Sequence, residues 1–119
     1  MIHKYGGVLQ CRMNSSRLPG KTLKHIHGKP MLERILERLE CSNLMEIIII
    51  ATTENPKDDP IEELALQKGF NVYRGSEENV LDRVLEAAQT FSVTNIVELH
   101  GDNPFLDPAI IDKCIKIFD

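Results

Sequence analysis

Four consecutive isoleucines, Ile47 to Ile50, lie in the run Glu46 to Thr52. A β-branched stretch this apolar has no polar alternation to offer solvent, so it reads as a strand of a parallel sheet covered on both faces. Parallel neighbours need crossover connections, usually helices. The remainder of the sequence supplies them. Tyr5 to Cys11 reads as a short strand, and Met31 to Leu39 as a helix with Met31, Leu32, Ile35, Leu36 and Leu39 on one stripe and Pro30 at its start. Asp59 is the expected N-cap of a second helix, with Pro60 at its first position, Glu62 closing a capping box and Gly69 as the stop. Phe70 to Arg74 and Asn95 to His100 read as further strands. Between them Asn79 caps a helix whose predicted inner face is Val80, Leu81, Val84, Leu85, Ala88 and Phe91. Asp107 and Pro108 open a last helix with Ile110, Ile111, Cys114, Ile115 and Phe118 inward. The expected fold is α/β, a mainly parallel sheet with flanking helices and right-handed crossovers.

A chain of 119 residues suits one domain, so 1–119 is read as a single α/β unit. No apolar run approaches the roughly 18 residues of a membrane helix, and Met1 to Gly7 lacks the order of a signal peptide. A cytoplasmic protein without membrane partners is expected. Three widely spaced cysteines, Cys11, Cys41 and Cys114, suggest reduced thiols rather than a disulfide framework or a zinc site.

The net charge of −4 speaks against a nucleic-acid partner, but the charge is unevenly placed. Between Arg12 and Arg34 lie six basic residues and one acid, a balance of +5; elsewhere eight basic and seventeen acidic residues give −9. In an open α/β sheet, ligands bind beyond the carboxyl ends of the strands. Those ends deliver Arg12, Thr52 and Thr53, Arg74 to Ser76, and His100 to Asp102. The loop from Arg12 to Lys21 offers three cations (Arg12, Arg17, Lys21), the hydroxyls of Ser15 and Ser16, and Gly20, where backbone can approach a ligand. Guanidinium forks, an ammonium and amide donors together suit a polyphosphate. A solvated basic loop is the alternative.

Gly20-Lys21-Thr22 has half of a phosphate-loop motif, but Ser15 stands where the first glycine belongs, and Leu23 to Lys29 has no helical period. His25 and His27 share one face of an extended segment without a third metal ligand nearby. Asp102 lies in Gly-Asp-Asn-Pro, which is equally good turn chemistry. Asp107 has sufficient work as an N-cap, and Arg83 is expected to pair with Asp82 or Glu86 on a helix surface.

Arg12, Arg17-Leu18-Pro19-Gly20-Lys21 and Gly28-Lys29-Pro30-Met31 resemble the opening signature of the cytidylyltransferases that make CMP-activated sugars. The resemblance is strongest to the spore-coat-polysaccharide type, with its acylneuraminate and 3-deoxy-manno-octulosonate relatives. Tyr73 to Ser76 with Val80 to Arg83, and Gly101 to Pro104 with Leu106 to Pro108, resemble that group's second and third motifs. Cys11 departs from a usual alanine and Asn103 from a frequent cysteine. The resemblance implies a Rossmann-like nucleotide-diphospho-sugar transferase fold, of which this chain is the N-terminal, nucleotide-binding portion, since the family's chains run to about twice this length. It further implies that Arg12 and Lys21 hold the triphosphate and serve catalysis, with Ser15, Arg17 and Gly20 assisting. Arg74, Ser76 and His100 would line the nucleotide, and Asp102 would bind Mg²⁺. The implied substrates are CTP and a small sugar acid, and the implied reaction is CMP transfer with release of pyrophosphate. A nucleotidyltransferase for a different base or sugar, or a non-catalytic nucleotide-binding fragment, is the alternative, and an exposed sheet edge would favour a homodimer.

Overall fold

The computed structural model describes residues 2–13, 20–101 and 106–119. Among the described residues, strand β1 (His3–Gln10) is followed by a 3₁₀ turn (Lys21–Leu23) and a small antiparallel hairpin, β2 (His25–Ile26) and β3 (Lys29–Pro30). His27 and Gly28 at its tip both have positive φ, 51° and 84°, the backbone that a tight two-residue hairpin turn requires. Helix α1 (Met31–Leu39), strand β4 (Ile47–Thr53), helix α2 (Asp59–Gln67), strand β5 (Asn71–Gly75), helix α3 (Val80–Thr90), strand β6 (Val93–His100) and helix α4 (Pro108–Phe118) follow.

The main sheet is fully parallel in the order β5-β4-β1-β6. The isoleucine run explains why. Ile49 packs with Val8 and Ala51 against Val84, Ala87 and Ala88 of α3, while Ile50 packs with Leu9 against α1 and against Ile61 and Ala65 of α2. Both isoleucines are fully buried, each worth about 1.5–3 kcal/mol relative to exposure. Helices α1 and α2 cover one face together with Ile111 of α4, and α3 alone covers the other. Leaving β1, the chain builds outward to β5, then returns across the sheet to β6 on the far side of β1. The strand order therefore reverses between β1 and β6, the place where open α/β sheets form a ligand crevice. No helix among the described residues is long and apolar enough to cross a membrane.

Three expectations need correction. Helix α2 begins one residue early: Asp58 holds the N-cap position and Asp59 is already helical. The inner face of α3 is rotated, burying Arg83, Val84, Ala87 and Ala88 while Leu81 and Leu85 are 65% and 43% exposed. Apolar spacing permits either of two adjacent stripes, and a charged Arg83 disguised the right one. On α4 only Ile115 is fully buried; Ile110 and Phe118 are exposed and border an open apolar groove of about 530 Å³ along β6. By contrast Asn79 and Asp107 cap their helices as expected, accepting from the N–H groups of Asp82 and Ala109.

The rotated face of α3 has a direct consequence. Leu81→Gln should change stability by less than about 0.5 kcal/mol, whereas Val84→Ala should cost about 1–3 kcal/mol. Denaturant unfolding of both variants checks this, and equal losses would contradict the packing.

Candidate nucleotide site

The register places Gln10 of β1 beside Ala51 of β4 and His100 of β6 in one row at the carboxyl end of the sheet. Two backbone bonds continue the ladder past the strands: Cys11 N–H donates to Ala51 O at 3.2 Å, and Gly101 N–H to Gln10 O at 2.9 Å. The approach at Gly101 is close, since a Cβ there would stand 2.5 Å from Cys11 Cβ. This end of the sheet is held tightly around β1.

The first loop returns to its own starting point. Gly20 N–H donates to Met13 O at 2.8 Å, which requires the left-handed backbone of Gly20 (φ 77°). The Thr22 hydroxyl donates to Arg12 O at 3.2 Å. Arg12, exposed, and Lys21, half-buried, flank this closure. After Lys21 comes a 3₁₀ turn and a hairpin, not a helix, so the structure has no phosphate-loop NTPase context.

Opposite the loop, the side chains of Gln10 and His100 meet, Nε2 to Nδ1 at 2.6 Å. The direction of this bond is set from below. Arg83 Nη2 donates to Gln10 Oε1 at 3.3 Å, and Nη1 to Ser76 O at 2.9 Å. A guanidinium accepts nothing, so Gln10 must turn its oxygen to Arg83 and its NH₂ to His100. Neutral His100 then accepts at Nδ1 and carries its proton on Nε2, a donor available to a ligand. Arg83 itself is fully buried, and that burial is the chief influence against its charge. The surface ion pair expected for Arg83 is replaced by this internal role. It was hidden because nothing in the spacing separates a buried arginine from an exposed one.

Arg74 and Ser76 lie at the same end of the sheet. Arg74 is on β5, two strands from β1, and its guanidinium donates to Thr53 O, Asn55 O, Asp59 and Glu62, all within 3.2 Å. These bonds clamp the start of α2. Ser76 turns the chain into α3, its hydroxyl accepting from Asn79 N–H at 3.1 Å. Ser15, Arg17 and Asp102 lie outside the described residues. His25 and His27 are exposed on the hairpin, and among the described residues no three metal-ligating side chains cluster. Two residues that sequence reasoning passed over, Gln10 and Asp58, complete the floor. Asp58 is buried and accepts from Met13 N–H at 2.7 Å and from the Thr53 hydroxyl.

The comparisons with known proteins fit this geometry. The cytidylyltransferase family model matches residues 7–118. The chain belongs to the cytidylyltransferase family. It is 37% identical to the spore coat polysaccharide biosynthesis protein SpsF of Bacillus subtilis, covering 92% of this chain and 47% of that one. Among solved structures, a cytidylyltransferase from Leptospira borgpetersenii superposes with a TM-score of 0.93 at 40% identity, covering 97% of this chain and 48% of that one. The synthetase for CMP-2-keto-3-deoxy-manno-octonic acid, solved in complex with CTP, gives 0.83 at 27% identity, with 97% and 47% coverage. The chain therefore spans about half the length of the relatives it matches, and it has the nucleotidyltransferase architecture that its motifs imply.

One member of the floor is chemically quiet. Burial pushes the Cys11 thiol up to about 12, aided by the charge of Asp58, so it stays protonated near neutral pH and is shielded from reagents. Cys41 and Cys114 are exposed. A disulfide reagent at pH 8 should modify two thiols rapidly and the third only on unfolding. Rapid reaction of all three would contradict a sealed floor.

Proposed function

We propose that this chain binds CTP at the carboxyl ends of β1 and β6 and supplies the nucleotide half of a CMP transfer to a sugar acid. The observation that carries the reading is the closure of the first loop. The bond from Gly20 N–H to Met13 O brings the backbone of Arg12 and Lys21 together beyond the end of β1, and His100 ends the neighbouring strand β6; this supports the reading. Two cations and an N–H donor at one edge of the sheet suit a triphosphate. Ser15 and Arg17, in the same loop, would add a hydroxyl and a third cation to the phosphates.

In the proposed reaction a sugar hydroxyl attacks the α-phosphorus of CTP. The new bond joins that oxygen to phosphorus, the bond to the β-phosphate oxygen breaks, pyrophosphate leaves and the hydroxyl proton departs to solvent or base. Such a transfer depends on alignment and on neutralising phosphate charge, and the chain's part is to hold the triphosphate in line. Asp102, next in sequence after Gly101, is the proposed Mg²⁺ ligand. One carboxylate suffices where phosphate oxygens complete the shell. Bound there, Mg²⁺ would add positive charge at the phosphates. The sugar acid and pairing with a second copy belong to the same proposal.

Calorimetric titration tests it. Arg12→Ala and Lys21→Ala should each weaken CTP binding about 10- to 100-fold, the worth of one charge-assisted contact, with unchanged thermal unfolding. Asp102→Asn should remove the Mg²⁺ dependence of binding. Equal affinity of both cation variants and wild type would refute the site, and tighter binding of UTP, GTP or ATP would refute the base.

A further inference from the structure

Asp58 stands at the N-cap of α2, where an aspartate ordinarily accepts a hydrogen bond from an N–H of its own helix. It makes no such bond. Only 1% exposed, it turns its carboxylate away from the helix: Oδ1 accepts from Met13 N–H at 2.7 Å, and Oδ2 from the Thr53 hydroxyl. That hydroxyl accepts in turn from Asn55 N–H at 3.1 Å, so the end of β4 fixes one side of Asp58 and leaves the other for the first loop.

Charge accounts for this placement only in part: the Asp58 carboxylate favours the charge of the buried Arg83 guanidinium but makes no ion pair with it. A buried carboxylate beside Arg12 weakens the field that would draw an anion, and burying it is costly unless its bonds are needed. Geometry does give a reason. Met13 is held at both polar groups, its N–H by Asp58 and its C=O by Gly20 N–H. One residue is thereby pinned between the start of α2 and the return of the loop, with Arg12 immediately before it and Lys21 immediately after Gly20.

We propose that Asp58 is a positioning residue of the nucleotide site: by fixing the Met13 amide it sets where the first loop leaves β1, so that Arg12 and Lys21 converge on one ligand. The inference rests on the nucleotide reading above. Electrostatics and positioning predict opposite signs, because removing a negative charge beside a triphosphate should tighten binding, whereas loosening the loop should weaken it.

Amide hydrogen exchange and CTP titration of the full chain separate the possibilities. In Asp58→Ala the Met13 amide should lose its protection, and CTP should bind about tenfold more weakly, the scale of one lost bond to a charged acceptor. Asp58→Asn, which keeps one acceptor for Met13, should lose less. In an Arg12→Ala background the Asp58→Ala effect should shrink to less than about threefold, because one of its two targets is gone. Unchanged or tighter CTP binding by Asp58→Ala overturns the proposal. So does an equal loss with and without Arg12, which would mark a purely structural residue. Should Asp58→Ala not fold, Asp58→Asn carries the same comparisons. A wild-type chain that fails to bind CTP overturns the nucleotide reading itself, a result visible before any substitution is made.

Discussion

Strand β1 is hydrogen-bonded along its length to β4 on one side and β6 on the other, and every feature of the candidate site follows from that constraint. Because all four strands run parallel, their carboxyl ends emerge together. Because β1 is central, the loop that leaves it is born in the middle of that edge. The ladder extends beyond the strands through the amides of Cys11 and Gly101, so the loop after β1 and the segment after β6 start from fixed points. Without this pairing, Arg12 and His100 would be unrelated residues separated by most of the chain.

Beneath the edge lies a polar floor in an otherwise apolar interior. Arg83, Gln10, Asp58 and the threonines of β4 meet where two hydrophobic clusters end. Buried polar groups are tolerated only when partnered, and most here are. The exceptions are Thr52 Oγ1 and Arg83 Nε, which lack partners although buried. Each member of the floor holds something above it. Arg83 orients Gln10, Gln10 orients His100, and Asp58 fixes Met13. The layer thus converts buried and half-buried side chains into directions for exposed ones.

Much of the architecture was legible in the sequence because it rests on local rules. The isoleucine run, the helix caps at Asn79 and Asp107 and the alternation of strand with helix each have a short-range cause. What failed to show was decided by tertiary contact. Leu81 and Leu85 look like core, yet face outward, because the choice between adjacent helical stripes depends on where α3 meets the sheet. Asp59 looks like a cap, yet pairs with Arg74, while Asp58 occupies the cap position and serves the loop. Arg83 reads as a surface charge because its acceptors, Ser76 O and the Gln10 side chain, are assembled only by the fold. For the site, the cations of the first loop were evident from charge segregation, but the groups that aim them were not.

The account stands on where the nucleotide binds. Amide chemical-shift mapping with CTP and Mg²⁺ tests that most directly. Shifts concentrated at Gln10 to Met13, Gly20 to Thr22 and His100 to Gly101, with the groove between β6 and α4 unaffected, are the predicted result. Shifts centred on that groove, or on the amino ends of the strands, would contradict it.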